Sequence, residues 1–140
     1  MSNTRIMFAT LALGTAIAFA GPAFAEKLKA TLSSASEVPP NNSAAKGTAD
    51  IDYDAATKKL SWKLTYSGLT GPATMAHFHG PAEPGKNAGV AVPIAPATSP
   101  SEGSVTLTDA QAADLQAGKY YVNVHTAANQ DGEIRGQVTK

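Results

Sequence analysis

The sequence contains no cysteine among its 140 residues. Without thiols, a disulfide framework, an iron–sulfur cluster, a thiolate zinc site and a cysteine nucleophile are all excluded. The chain must therefore fold by packing alone, and its stability does not depend on the redox state of its surroundings.

An excess of charge is also absent, since 11 Lys and Arg residues balance 11 Asp and Glu residues. We therefore expect no basic patch that binds nucleic acid or an anionic membrane surface. Familiar catalytic motifs are missing as well. The sequence has no Gly-x-Ser-x-Gly elbow, no phosphate-binding loop, no Gly-x-Gly-x-x-Gly motif and no His-Glu-x-x-His motif.

The first 25 residues have the pattern of a signal peptide. Arg5 supplies a positive charge, the stretch from Ile6 to Ala20 is apolar, and Ala23-Phe24-Ala25 fits the small-x-small cleavage rule. The apolar stretch is short for a transmembrane span, and an uncleaved anchor is the alternative. We predict a signal peptide at residues 1–25 and one mature domain at residues 26–140. This implies a periplasmic or secreted location and no membrane segment after cleavage.

Apolar and polar residues alternate in several short segments, which is typical of strands with one buried face. The clearest hairpin joins two of them, with Leu60, Trp62 and Leu64 on the inward face of its second strand. The predicted strands are Lys27–Leu32, Gly47–Asp54, Lys58–Tyr66, Thr74–His79, Val90–Ile94, Ser104–Leu107, Lys119–Thr126 and Glu133–Val138. Together they predict an all-β fold, an antiparallel Greek-key sandwich or barrel of the superoxide dismutase-like or immunoglobulin-like kind.

One short helix interrupts the strands. Thr108 is placed to cap it, Gln111 completes a capping box, and Gly118 closes it. In the strand Val90–Ile94, Pro93 cannot donate a ladder hydrogen bond, which predicts an edge position. An edge strand of this kind offers a route to a homo-oligomer.

The three histidines of the chain lie in two of the predicted strands. Because side chains alternate, His77 and His79 share a face opposite to Phe78, which requires burial. The same rule turns Val122 and Val124 inward and Tyr121, Asn123 and His125 away from the core. In the last strand it places Glu133, Arg135 and Gln137 on the outer face, near His125.

Three neutral imidazoles with an open fourth position form a site for copper or zinc. Met75 lies on the same face as His77, and its soft thioether favours copper, in particular Cu(I), over zinc. Asn123 or Glu133 could orient His125 through its second ring nitrogen. The alternative interpretation is an incidental His-x-His pair on an exposed strand, with Met75 as a surface residue.

Five segments of the chain, in order, resemble the CHRD domain, which is named after chordin. They are Ser36-Glu37-Val38-Pro39-Pro40, Leu60-Ser61-Trp62 through Tyr66-Ser67-Gly68-Leu69, Ala76-His77-Phe78-His79-Gly80-Pro81-Ala82, Tyr121-Val122-Asn123-Val124-His125-Thr126 and Gly132-Glu133-Ile134-Arg135-Gly136-Gln137. The resemblance implies a β-rich extracellular domain that bacteria often export alone. It also implies histidines at the positions of His77, His79 and His125.

A looser likeness links His77, His79, His125 and Arg135 to the copper ligands and catalytic arginine of copper-zinc superoxide dismutases. The zinc-bridging histidine and the disulfide cysteines of those enzymes have no counterpart here. Our leading hypothesis is therefore an exported copper-binding module in metal handling, with zinc as the less favoured metal. The alternatives are a copper-only dismutase-like redox enzyme and a non-enzymatic protein-interaction domain.

Overall fold

The structure is a computed structural model that describes residues 24–140. Within this range, eight antiparallel strands form one sheet that curls into a nearly closed barrel, so the predicted all-β class is confirmed. The strands are β1 (Glu26–Ser33), β2 (Lys46–Asp54), β3 (Lys59–Ser67), β4 (Ala73–His79), β5 (Val90–Ile94), β6 (Ser101–Thr106), β7 (Tyr121–Thr126) and β8 (Ile134–Gln137). The predicted signal peptide lies outside the described residues apart from Phe24 and Ala25.

The strands lie in the order β5-β4-β7-β8-β1-β2-β3-β6. The two histidine-bearing strands, β4 and β7, are therefore direct neighbours, although more than 40 residues separate them in sequence. Strand β5, which contains Pro93, is the outermost strand on this side of the sheet, as predicted. Sheet topology thus supplies the proximity of the histidines that the sequence could not establish.

The barrel interior is filled by the inward side chains of all eight strands. Leu60 and Leu64 are fully buried, and Trp62 packs edge-on against Phe78 with ring centroids 5.5 Å apart. Burial of such side chains contributes about 1.5–3 kcal/mol each relative to exposure. Since Phe78 lies between His77 and His79, its burial fixes which face of β4 carries the imidazoles.

Strand β6 begins three residues earlier than the sequence predicted. The predicted strand starts at Ser104, but Ser101–Gly103 already pair with β3. A Cβ at Gly103 would lie 2.5 Å from the Trp62 indole, so the glycine accommodates the large ring. A residue that is typical of loops therefore serves packing within a strand. A second difference is a 3-10 turn, Ser34–Ser36, between the first two predicted strands.

The single α-helix of the described range, α1 (Asp109–Gln116), connects β6 to β7. Thr108 and Gln111 form the predicted capping box, and Gly118 has a φ of 74° at the carboxyl end. The helix is held by local capping and by burial of Ala112 and Leu115. Among residues 24–140, no helix has the length and apolar character needed to cross a membrane.

The outer face of β7 and β8 is not open to solvent. Asn123, Glu133 and Arg135 point away from the barrel core as predicted, yet each is no more than 2% exposed. Segments 34–43 and 80–89 lie over this face, and their hydrogen bonds reach residues of β7 and β8. The histidines consequently lie at the margin of a second, polar packing layer.

The close approach of β8 to β1 leads to a stability prediction. A Cβ at Gly136 would overlap the backbone carbonyl of Thr31, and neither strand can move without disrupting the ladder. We expect Gly136→Ala to lower the free energy of unfolding by about 2–3 kcal/mol, measured by urea denaturation. The matched control is Gly71→Ala, because nothing lies within 4 Å of a Cβ at that position. Equal stability of the two variants would contradict the packing described here.

Candidate metal centre

The structure brings His77, His79 and His125 together. One ring nitrogen from each histidine lies within 4.8 Å of those of the other two. The ring centroids are 5.1 to 5.8 Å apart. His77 and His79 project from β4, and His125 projects from the same face of β7. These three residues form the only such group of potential metal-binding side chains in residues 24–140.

Backbone carbonyls fix the orientation of two of the rings. Nδ1 of His79 lies 3.0 Å from the carbonyl oxygen of Ala88, and Nδ1 of His125 lies 2.8 Å from that of Gln130. A carbonyl oxygen can only accept a hydrogen bond, so each Nδ1 must carry the proton. The Nε2 atom of each ring therefore carries a lone pair. This is the arrangement by which proteins usually orient metal-binding histidines.

The third ring completes the cluster. Nδ1 of His77 lies 3.2 Å from Nε2 of His125. Two nitrogens bound to one ion at about 2.0 Å with a tetrahedral angle lie about 3.3 Å apart. The spacing of this pair therefore already matches shared coordination. In the metal-free protein, His77 Nδ1 donates to the lone pair of His125 Nε2. To bind an ion through Nδ1, His77 would carry its proton on Nε2 instead.

One nitrogen of the cluster has no partner in the described structure. Nε2 of His79 is buried and makes no hydrogen bond. A buried polar atom without a partner costs about 1–3 kcal/mol. A bound cation would satisfy the His79 Nε2 lone pair, so the chemistry of the donor set fits a metal ion.

The environment favours the neutral form of the His77 and His79 rings. Burial lowers the pKa of His77, and the neighbouring His125 lowers it further. Burial also lowers the pKa of His79. The hydrogen bond to Ala88 opposes this shift, whereas the charges of His77, His125 and Arg135 lower the pKa further. Neutral imidazole is the form that binds a metal. His79 and His125 are buried, whereas His77 is partly exposed and marks the side from which solvent reaches the cluster.

Met75 lies directly opposite His125 across the β4–β7 pair and on the same face. Residues paired in this way have Cβ atoms about 4.5–5.5 Å apart. Its side chain is 50% exposed, at the open side of the cluster. Its role as a fourth ligand remains a prediction.

Asn123 and Glu133 do not orient His125, so that prediction is wrong. The side-chain amide of Asn123 donates to Glu37 and to the carbonyl of Ile134. Glu133 instead accepts hydrogen bonds from three other residues, Ser43, Thr70 and Thr126. The main chain of Gln130 takes the orienting role. Because a backbone carbonyl can belong to any residue, the sequence carries no signal for it.

Arg135 lies near the cluster but not at its mouth. The guanidinium is 2% exposed and lies 3.5 Å over the Tyr121 ring. It donates to Asn87 and to the carbonyl of Lys86. It therefore lacks the solvent-facing position that a guide for incoming anions would need. Tyr121, whose ring stacks on that of His79, is a neighbour of the site that alternation had placed on the correct face.

Comparison with known proteins identifies one family. The model of the CHRD domain matches residues 28–138 of the chain. No curated protein and no solved structure matches it.

The buried Glu133 carboxylate beside the cluster leads to a pH prediction. Burial alone would raise its pKa, but hydrogen bonds from Ser43, Thr126 and Thr70 outweigh this effect and lower the pKa to about 2. A depressed pKa stabilises the fold above the ordinary value of about 4.5, and this stabilisation is lost as the pH falls towards 2. We expect Glu133→Gln to remove stability on the order of 2–3 kcal/mol at pH 7 and to flatten its acid dependence.

Urea denaturation at several pH values between 2 and 7 measures this difference. The control is Glu102→Gln, since Glu102 is an exposed strand carboxylate. If Glu133→Gln followed the wild-type pH curve, the buried carboxylate would not have the role assigned to it.

Proposed function

The chain belongs to the CHRD domain family, and we propose that it is a copper-binding member that holds one ion between three histidines. His79 and His125 would bind through Nε2, and His77 through Nδ1. The observation that carries the proposal is that two backbone carbonyls hold protons on Nδ1 of His79 and His125, which turns both Nε2 lone pairs towards one cluster.

Copper fits this donor set better than zinc. Cu²⁺ binds nitrogen ligands more tightly than Zn²⁺ in the usual order of divalent metals. Imidazole suits both metals, but a thioether suits Cu(I) and not zinc. Met75 offers that thioether at the open side of the cluster, opposite His125. Copper bound here would be held by neutral ligands that suit both of its oxidation states.

Metal handling is favoured over catalysis. A dismutase-like reaction would need a cationic side chain at the mouth of the site to attract the anion. Arg135, the candidate for that role, is buried and engaged with a loop. The chain's own residues therefore bind and shield an ion rather than steer a substrate. The predicted signal peptide supports a role in the periplasm or outside the cell.

Titration of the purified protein with Cu(II) and with Cu(I) tests the proposal. We expect His77→Ala, His79→Ala and His125→Ala each to lower copper affinity by more than about 100-fold, because each removes a direct ligand. Gln130→Ala is the matched control, since only the backbone of Gln130 contacts the site and its side chain is exposed. Met75→Leu should weaken Cu(I) selectively. Wild-type copper affinity in all three histidine variants would disprove the site.

Competition between protons and copper gives a second prediction. Because burial holds the pKa of His77 and His79 below the ordinary 6.5, both rings are free to bind at neutral pH. We expect copper affinity to change little from pH 8 to about 6.5 and to fall steeply below about pH 6. Competition titrations with a chelator at each pH measure this profile. An affinity that stays constant down to pH 5 would contradict histidine ligation.

A further inference from the structure

We propose that Tyr121 and Arg135 are positioning residues for the metal centre, which together hold the Ala88 carbonyl against the ring of His79. The inference rests on the proposed function and assigns a role to two buried residues that do not themselves bind the ion. We call Tyr121, Arg135 and the segment from Lys86 to Ala88 the loop clamp.

Ala88 is the point at which the clamp meets the ligand. Its carbonyl oxygen accepts a hydrogen bond from His79 Nδ1 at 3.0 Å and from the Tyr121 hydroxyl at 3.2 Å. Its N–H lies 3.1 Å from the same hydroxyl oxygen, which can also accept. Tyr121 thus contacts both backbone polar groups of Ala88, the residue whose carbonyl orients His79.

Arg135 holds the two residues that precede Ala88. Its Nη1 donates to Oδ1 of Asn87 at 2.9 Å, and its Nη2 donates to the carbonyl oxygen of Lys86 at 2.5 Å. The fork geometry of a guanidinium suits this double contact, which a lysine could not reproduce. The position of the Ala88 carbonyl is therefore fixed from both Tyr121 and Arg135.

The Tyr121 ring contacts both the His79 ring and the Arg135 guanidinium. The His79 ring stacks on it at 4.9 Å with an interplanar angle of 3°. The Arg135 guanidinium lies 3.5 Å from the same ring centroid. Two flat groups at these distances cannot share one face, so Tyr121 lies between them. The stack fixes the plane of the His79 ring, and the Ala88 carbonyl then decides which nitrogen carries the proton.

The loop needs such support because few contacts beyond those of Tyr121 and Arg135 hold its residues 86–88. Residues 83–87 are exposed, and Gly85, with a φ of 79°, and Gly89 give the backbone freedom on both sides. The backbone hydrogen bonds of this loop are Gly80–Gly89, Ala82–Lys119 and Glu83–Lys86, and the Asn87 side chain also donates to the carbonyl of Val38. Without the contacts from Tyr121 and Arg135, the Ala88 carbonyl could rotate away from His79. The His79 ring could then carry its proton on Nε2, and that nitrogen could no longer bind an ion.

The buried charge of Arg135 indicates that this residue has a role beyond filling space. It is among the largest fully buried side chains, and within residues 24–140 no carboxylate lies within ion-pair distance of it. Glu37 interacts with the Arg135 charge only at longer range, and burial raises the pKa of that carboxyl to about 7. Arg135 is therefore buried without an opposite charge in contact with it, which is costly. The cost is offset by the contacts to Lys86 and Asn87, the two residues before Ala88, and by the aromatic face of Tyr121.

Nitrogen-15 NMR of the metal-free protein tests the proposal directly, because it reports which ring nitrogen carries the proton. In the wild type we expect His79 and His125 both to be protonated on Nδ1. Tyr121→Phe keeps the ring but removes both hydroxyl contacts. Arg135→Lys keeps the charge but cannot make both hydrogen bonds of the guanidinium. Each should shift His79 towards the Nε2-protonated form and leave His125 unchanged, since Gln130 orients that ring.

Copper titration of the same variants provides the second measurement. We expect an affinity about 10–100-fold below wild type, as for other groups that orient metal ligands, and a changed Cu(II) electron paramagnetic resonance spectrum. The control is Tyr66→Phe, because the Tyr66 hydroxyl also donates to a backbone carbonyl, that of Ala97 at 2.6 Å, and lies on another strand. It should leave both the tautomers and the affinity unchanged.

The outcomes separate the two proposals. A wild-type His79 protonated on Nε2 would overturn the clamp even if every variant failed to fold. Folded Tyr121→Phe and Arg135→Lys proteins with the wild-type tautomer and affinity would also overturn it. A wild-type protein that binds no copper, yet shows the expected tautomer shift in both variants, would refute the proposed function and retain the clamp as an orienting device for His79.

Discussion

The candidate metal centre depends on hydrogen bonds from histidine Nδ1 atoms to backbone carbonyls. At His79 and His125 these bonds decide which nitrogen carries a proton and therefore which nitrogen can bind an ion. Three histidines in proximity would otherwise be a polar cluster without a defined chemistry. With the protons on the outer nitrogens, two lone pairs converge beside a third ring, and Nε2 of His79 is left buried without a partner.

The barrel makes this arrangement possible by separating two packing layers. Phe78 and Val124 fill the interior, so the intervening residues of β4 and β7 must point to the other face. That face is covered by loops rather than by water, which explains why Glu133 and Arg135 are buried there. The polar layer rigidifies the surroundings of the histidines, while the exposed Met75 side remains open to solvent.

The fold was largely predictable because alternating patterns reported burial correctly. The hairpin of β2 and β3, the edge position of β5 and the capping box at Thr108 all follow from local rules. The early start of β6 does not follow from them, because Ser101-Glu102-Gly103 is typical of a loop in sequence. Only the packing of Trp62 against Gly103 explains why this segment is a strand. Local rules fail where a distant side chain decides whether a residue fits.

The candidate site was predictable only in its three histidines. Its three histidines could be chosen from the sequence because the chain has no others and all fall on non-core faces. Their orientation could not be predicted, because Ala88 and Gln130 act through the main chain and carry no side-chain signal. The roles expected of Asn123 and Glu133 were wrong for a related reason: each is engaged by residues more than 50 positions away, Glu37 for Asn123 and Ser43 and Thr70 for Glu133.

The central claim, that three histidine nitrogens converge on one copper ion, is tested most directly by anomalous diffraction at the copper edge from crystals of the copper-loaded protein. The account predicts one strong peak per chain at about 2.0–2.1 Å from Nδ1 of His77 and from Nε2 of His79 and His125. A peak bound elsewhere, or one that lacks any of these three nitrogens, would contradict it.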